Sequence, residues 1–201
     1  MKTKLTALLL ILAMLLCLTG CGGAGTGAQT DGTTDSAGSG GSDAAQGDAD
    51  DPYAASFAAH APDEIVMTVN GQAVTWAEYF YCLYANAGQI AALGLSDWDE
   101  DAAAIDSEAA GQTIQEYIRE RIDRGIFATY WSMEQKAGEL GVVLTEEEQA
   151  EIDDIYQQTV DLYYAGDEQA FLDDLASHYF PIDFYNRMNT IDYLFIKVYE
   201  H

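Results

Sequence analysis

The sequence predicts a mostly α-helical domain that opens with a single β-hairpin. Over residues 63–201, apolar side chains recur at helical spacing in several long runs. Asn70-Gly71 sits between two short β-rich runs, and Thr-x-x-Glu caps punctuate the helical ones. The stretch is long enough for one domain with its own core, and no internal repeat divides it.

The hairpin comes first. Ile65-Val66-Met67-Thr68-Val69 and Gln72-Ala73-Val74 flank Asn70-Gly71, a pair that accepts the positive φ angles of a two-residue turn. Thr75 then caps the first of about five helices, and Glu78 completes its capping box. Trp76, Tyr79, Phe80, Leu83, Tyr84, Ala87, Ile90 and Ala91 keep the i, i+3, i+4 rhythm. A polar stretch containing Gly88, Gly94 and an acidic cluster leads to the second helix. Its face is Ala110, Ile114, Tyr117, Ile118, Ile122, Ile126, Tyr130, Met133, Ala137 and Leu140, and Gly141 is its stop signal.

Thr145-Glu146-Glu147-Glu148 opens a third helix, with Ile152, Ile155, Tyr156, Thr159, Leu162 and Tyr163 inward and an end at Gly166. A fourth follows Asp167 and buries Phe171, Leu172 and Leu175. Pro181 suits the first turn of a last helix, with Phe184, Met188, Ile191, Phe195 and Val198 inside. Residues 191–199 are also apolar and β-branched enough to read as a strand. In that form they would cover the edge of the hairpin strand at residues 65–69, which is otherwise a template for pairing with a second copy or with an extended client segment.

The first fifty residues read differently. Lys2 and Lys4 precede an apolar run over 5–18, followed by small residues: the layout of a secretory signal peptide. The run is about 14 residues, short of the roughly 20 that span a bilayer as a helix. Leu18-Thr19-Gly20-Cys21 resembles the lipobox of bacterial lipoproteins. The resemblance implies that the Cys21 thiol receives a diacylglyceryl group and becomes the first mature residue, which places the chain on the extracytoplasmic face of a cell membrane. Several acyl chains at about 0.8 kcal/mol per buried CH₂ make such an anchor lasting. Residues 22–51 are nearly all Gly, Ala, Ser, Thr, Gln and Asp and cannot form a core. As a coil of about 30 residues they span roughly 30 Å. The layout expected is a signal peptide over 1–20, a lipidated Cys and linker over 21–62, and the helical domain over 63–201. Gly20-Cys21-Gly22-Gly23-Ala24-Gly25 fits a dinucleotide fingerprint by letter, but no helix pattern follows it.

Charge and residue types narrow the function. A formal net charge of −26 repels nucleic acid and anionic lipid surfaces. Cys17 belongs to the signal and Cys21 to the lipobox, which leaves Cys82 without an intrachain disulfide partner. Asp97, Asp99, Asp101 and Glu108 fall at positions 1, 3, 5 and 12 of a calcium loop, yet Ala102 stands where that loop needs Gly; a solvated acidic loop is the preferred reading. His60, His178 and His201 are too scattered for a zinc site, with His178 better placed as a helix-end partner. No nucleophile motif is present, so no catalytic residue, metal or cofactor is assigned. The aromatic residues outnumber what one helical face can bury. Core packing claims most of them, and the remainder suit a tyrosine-edged groove for varied peptide sequences. Tyr79, Phe80 and Tyr84 of the first helix and Phe184 and Tyr185 of the last are the expected peptide contacts.

In this order, the pattern Val69-Asn70-Gly71-x-x-Val74-Thr75-x-x-Glu78-Tyr79, a long helix, the join Gln135-Lys136-Ala137-Gly138-Glu139-Leu140-Gly141-Val142-Val143-Leu144-Thr145-Glu146-Glu147-Glu148, and Phe171-Leu172-x-x-Leu175 resemble the N-terminal chaperone domain of the SurA/PrsA group of extracytoplasmic foldases, over roughly residues 63–195. The resemblance implies a helical domain that holds unfolded exported polypeptides, usually beside a parvulin-type peptidyl-prolyl isomerase domain. This sequence departs from that pattern: up to His201 it shows no parvulin residues, and residues 191–198 are at most where such a domain's first strand would begin. The expectation is therefore a membrane-tethered chaperone module. The front part of a truncated isomerase and a solute-binding or adhesive lipoprotein are the alternatives.

Overall fold

The computed structural model describes residues 51–201; the expected signal peptide, Cys21 and the expected linker up to residue 50 lie outside the described residues. The fold is mostly helical with one short antiparallel hairpin ahead of the long helices, as the sequence predicts.

The folded part reaches back to Asp51. A short helix, α1 (Ala54–Phe57), occupies a segment assigned by sequence to the linker. Strands β1 (Ile65–Val69) and β2 (Gln72–Thr75) pair around Asn70 and Gly71, whose φ angles of 51° and 84° are both positive, the geometry of a type I′ turn. A bulge interrupts the register between Ile65 and Met67. The hairpin docks on a later helix: the Trp131 indole donates to the Ala73 carbonyl, and the Asn70 amide donates to Ser132 Oγ at 3.0 Å.

Helix α2 (Trp76–Ala92) starts at the Thr75/Glu78 capping box. Its Phe80, Cys82, Asn86, Ala87 and Ile90 are buried, whereas Ala91 is exposed. Between residues 101 and 109 two single 3₁₀ turns follow, each capped by an aspartate: Asp101 accepts from the Ala103 N–H and Asp106 from the Glu108 N–H. The acidic cluster read against a calcium loop is thus partly used to satisfy backbone donors at the approach to the next helix.

The second predicted helix is continuous in space but changes pitch. It runs as α3 (Ile114–Glu120), a π-helical stretch (Arg121–Ala128) and α4 (Thr129–Leu140), and it starts at a capping box between Thr113 and Glu116 rather than at Ala110, which is exposed. The pitch change re-aims the buried face. Ile114, Ile118, Ile122, Phe127 and Trp131 are fully or almost fully buried, and the step from 122 to 127 is the i, i+5 spacing of a π turn. A straight α-helical reading continues through Ile126 and Tyr130 instead, which are only half-buried. Gly141 closes the helix at φ 68°, as expected.

Helix α5 (Glu146–Tyr163) opens on the Thr145/Glu148 box, and α6 (Glu168–Ser177) on Asp167. Ile152, Thr159 and Val160 face inward, but Leu162 and Tyr163 are exposed, because the chain leaves the helix through Ala165 and Gly166, both at positive φ. Helix α7 (Ile182–Glu200) is capped by Pro181 and stays helical to Glu200, so the strand alternative for residues 191–199 does not form. Among the described residues the sheet keeps two strands, and β1 exposes Ile65 (62%) and Val66 (38%) at an edge no third strand covers.

Two cores result. The larger gathers Val74, Cys82, Ile114, Ile118, Ile122, Phe127, Trp131, Phe184 and Ile191 among others; the smaller gathers Val160, Phe171, Leu175 and Tyr185. Arg187 pins the larger one. Its guanidinium lies 3.7 Å from the Trp131 ring centre, donates to Glu134 at 2.6 Å and donates to Gln72, which joins α7 to α4 and β2.

Candidate functional site

A groove of about 470 Å³ opens beside α2. That volume falls within the roughly 300–1,000 Å³ of small-ligand sites. Its floor is one face of α2, with Trp76, Tyr79, Phe80, Leu83, Tyr84 and Ala87 brought together by their i, i+3, i+4 spacing. One wall comes from the α1 segment, through Tyr53 and Ser56. The opposite wall is Trp98 with Gln115, Ile118 and Arg119 of α3.

Local structure explains why these walls stand where they do. The Trp76 indole donates to the Phe57 carbonyl at 2.8 Å, the Tyr179 hydroxyl donates to Asp51, and the rings of Tyr53 and Phe57 meet Tyr84, Phe80 and Tyr179. Tyr179 holds a positive φ of 58°, sparsely populated for a bulky residue and maintained here by the ring cage around it. On the other side, backbone hydrogen bonds from Gln115 to the Trp98 carbonyl and from Ile114 to the Glu100 carbonyl fold the Trp98 loop onto the start of α3.

Electrostatically the groove is unlike the rest of the chain. Arg119 is its one charged lining residue, although acidic residues outnumber basic ones 34 to 8 over the whole sequence. Burial, with the Asp123 carboxylate adding to it, lifts the Tyr79 hydroxyl to about 12, so it remains a proton donor at neutral pH. Burial likewise raises Tyr84. One Asp123 oxygen, Oδ1, is buried with no hydrogen-bond partner, within the π-helical stretch behind Tyr79.

Of the residues expected to contact peptides, Tyr79 and Tyr84 line the groove half-buried, and Phe80 is in its floor but only 4% exposed. Phe184 and Tyr185 do not take part. They are 2% and 6% exposed and lie in the two cores, Phe184 against Phe127 and Trp131, Tyr185 against Phe171. Neighbouring positions on a helix point about 100° apart, and α7 is packed on both of those sides. Tyr53, Trp98 and Arg119 escaped the sequence reading because they come from a segment read as linker, a loop and the polar side of α3. The capping box Thr113-Ile114-Gln115-Glu116 was the signal that could have fixed the start of that helix.

Many other tyrosines act as donors to carboxylates. Tyr156 donates to Glu168 at 2.8 Å, Tyr164 to Asp174 at 2.7 Å, Tyr117 to Asp106 at 3.3 Å and Tyr193 to Glu151 at 3.4 Å. Cys82 is buried, and burial pushes its thiol up, which disfavours the thiolate. Among the described residues no group of three or more His, Cys, Asp or Glu is arranged to hold a metal ion. No helix there is long and apolar enough to cross a membrane. No protein-family model, curated protein or solved structure matches the chain.

Proposed function

We propose that the chain is a membrane-tethered, extracytoplasmic chaperone module that shields apolar segments of unfolded exported polypeptides in the groove beside α2. The observation that carries this reading is the groove itself: an open concavity lined by Trp76, Tyr79, Tyr84, Tyr53 and Trp98 in a strongly acidic chain. Flat amphipathic rings grip varied side chains at low entropic cost, whereas the acidic surface keeps the loaded module dispersed. The uncovered β1 edge, with Ile65 and Val66 exposed, is a second place where an extended client or another copy would pair. The anchor in this reading is a lipid on Cys21.

The test is suppression of aggregation of a reduced, unfolded secreted protein by the full chain. Wild type is expected to suppress it at several-fold excess, and a Tyr84→Ser, Trp98→Ser variant that keeps its circular dichroism spectrum is expected to lose most of that effect. A Val66→Pro variant isolates the contribution of the β1 edge, because proline removes a backbone donor there. No suppression by wild type defeats the chaperone reading. For the anchor, Cys21→Ala should abolish both radiolabelled-palmitate incorporation and membrane pelleting; pelleting that persists without label in wild type defeats it.

A further inference from the structure

We infer that the groove beside α2 takes the C-terminal end of a client polypeptide, with the terminal carboxylate on Arg119 and the last apolar side chains on the aromatic floor. The inference rests on the peptide-binding reading of this groove and names the part of the peptide it selects.

Charge complementarity selects that end of the chain. Of the six Lys and Arg within residues 51–201, four are in ion pairs: Arg124 with Glu120, Lys136 with Glu139, Arg187 with Glu134 and Lys197 with Glu148. Arg121 is in contact with the Tyr117 hydroxyl. Arg119 makes no ion pair among the described residues, although carboxylates surround it in sequence. Two of these are engaged elsewhere, Glu116 accepting from the Thr113 N–H and Glu120 holding Arg124; Asp123 lies beside Tyr79 with its Oδ1 unpartnered, and no ion pair joins it to Arg119. A guanidinium with five N–H donors therefore stands at the wall of an otherwise uncharged aromatic groove. Its natural complement is a planar carboxylate, which it can hold through two parallel hydrogen bonds. Gln115 and the Tyr79 hydroxyl, a neutral phenol at physiological pH, supply further polar groups along the same lining.

The overall charge narrows the source of that carboxylate. A chain at −26 repels segments rich in acidic side chains. A single terminal carboxylate on an otherwise neutral or basic apolar segment carries the least repulsion and still satisfies Arg119. The groove's volume matches a chain end of a few residues rather than a long extended run.

The experiment uses the full chain and fluorescein-labelled octapeptides of one apolar, aromatic sequence in three forms: free C-terminal acid, C-terminal amide, and amide with an internal aspartate. Binding is read by anisotropy. The free acid should bind a few-fold tighter than the amide, the expected size of a charge pair at a solvent-exposed guanidinium. Arg119→Gln should bring the acid down to the level of the amide measured on the same variant, and Arg119→Lys should restore part of the difference. Equal affinity of wild type for acid and amide overturns the carboxylate assignment and leaves the groove reading standing. An amidated internal-aspartate peptide that binds as well as the free acid overturns the choice of the chain end. Failure of all three peptides to bind defeats this inference together with the groove reading.

Discussion

The two cores of this domain are built on adjacent residues of one helix, and they differ in kind. Phe184 enters a large cluster in which Ile114, Ile122, Phe127 and Trp131 come from the π-interrupted helix, with Val74 from the hairpin. Tyr185 enters a small cluster of Val160, Phe171 and Leu175, rimmed by phenol–carboxylate pairs such as Tyr156 with Glu168 and Tyr164 with Asp174. The first is held by area and shape, the second by fewer apolar contacts backed by neutral donors. The lesson concerns a chain with too few cations for its carboxylates: tyrosine hydroxyls take the place that lysine or arginine would fill. Burial, with the partner carboxylate adding to it, lifts both Tyr156 and Tyr164 to about 12, which keeps them protonated donors.

If the cores are distinct, their deletions should differ in reach. Phe184→Ala is expected to cost about 3–5 kcal/mol and to raise amide hydrogen exchange throughout α2, α4 and α7. Phe171→Ala should cost somewhat less and confine faster exchange to α5 and α6. Identical exchange maps for the two would mean a single cooperative core.

A half-buried charge beside Tyr130, at the margin of the larger core, gives the next effect. Burial raises the Asp192 carboxyl from its ordinary 3.8 to about 6, against the favourable hydrogen bond with Tyr130. A raised carboxyl means that the folded state keeps its proton between about pH 4 and pH 6, so stability falls as pH rises through that window. Asp192→Asn should flatten this slope and make the protein more stable at pH 7 by up to roughly 3 kcal/mol, read from urea titrations at pH 4 and 7. Glu148 has the opposite sign. Its hydrogen bonds with Lys197 and with the Thr145 N–H hold its carboxyl down at about 2, so its contribution is full above about pH 4.5 and is lost as pH falls toward 2.

Arg187→Met keeps bulk over Trp131 but removes the donors to Glu134 and Gln72. A loss of about 2 kcal/mol is expected, with destabilisation of the hairpin visible in the exchange of β2. The smallest effect concerns the π-helical stretch. A Cβ at Gly125 would meet nothing nearer than Arg121 Cγ at 3.8 Å, so Gly125→Ala should stabilise by about 0.5–1 kcal/mol, a shift of a few degrees in Tm.

What the sequence revealed here was local. The tight hairpin at Asn70-Gly71, the boxes at Thr75 and Thr145, and the stop at Gly141 depend on residues within one turn of each other, and each stands as read. What stayed hidden depends on partners far along the chain. The extra residue between Ile122 and Phe127 makes sense only once Phe184 and Trp131 pack there. Residues 191–199 carry strand-like composition, yet Ile191 is buried in the larger core and Tyr193 reaches Glu151 of α5, which a helix allows. The same holds for the groove: Tyr79 and Tyr84 were legible from helical spacing, whereas Tyr53, Trp98 and Arg119 join them only through folding.

The α1 segment has a mechanical consequence. The chain enters the domain at Asp51, and there the contacts are the Tyr179 hydroxyl on Asp51, Tyr53 against Tyr84, and Phe57 against Phe80. Any pull applied to the chain ahead of Asp51 would be borne first by these few contacts. They would peel in sequence, from Asp51 inward, and pass the load to Tyr84 and Phe80 of α2. Since Tyr53 and Ser56 are also one wall of the groove, such a pull would act on the segment that lines it.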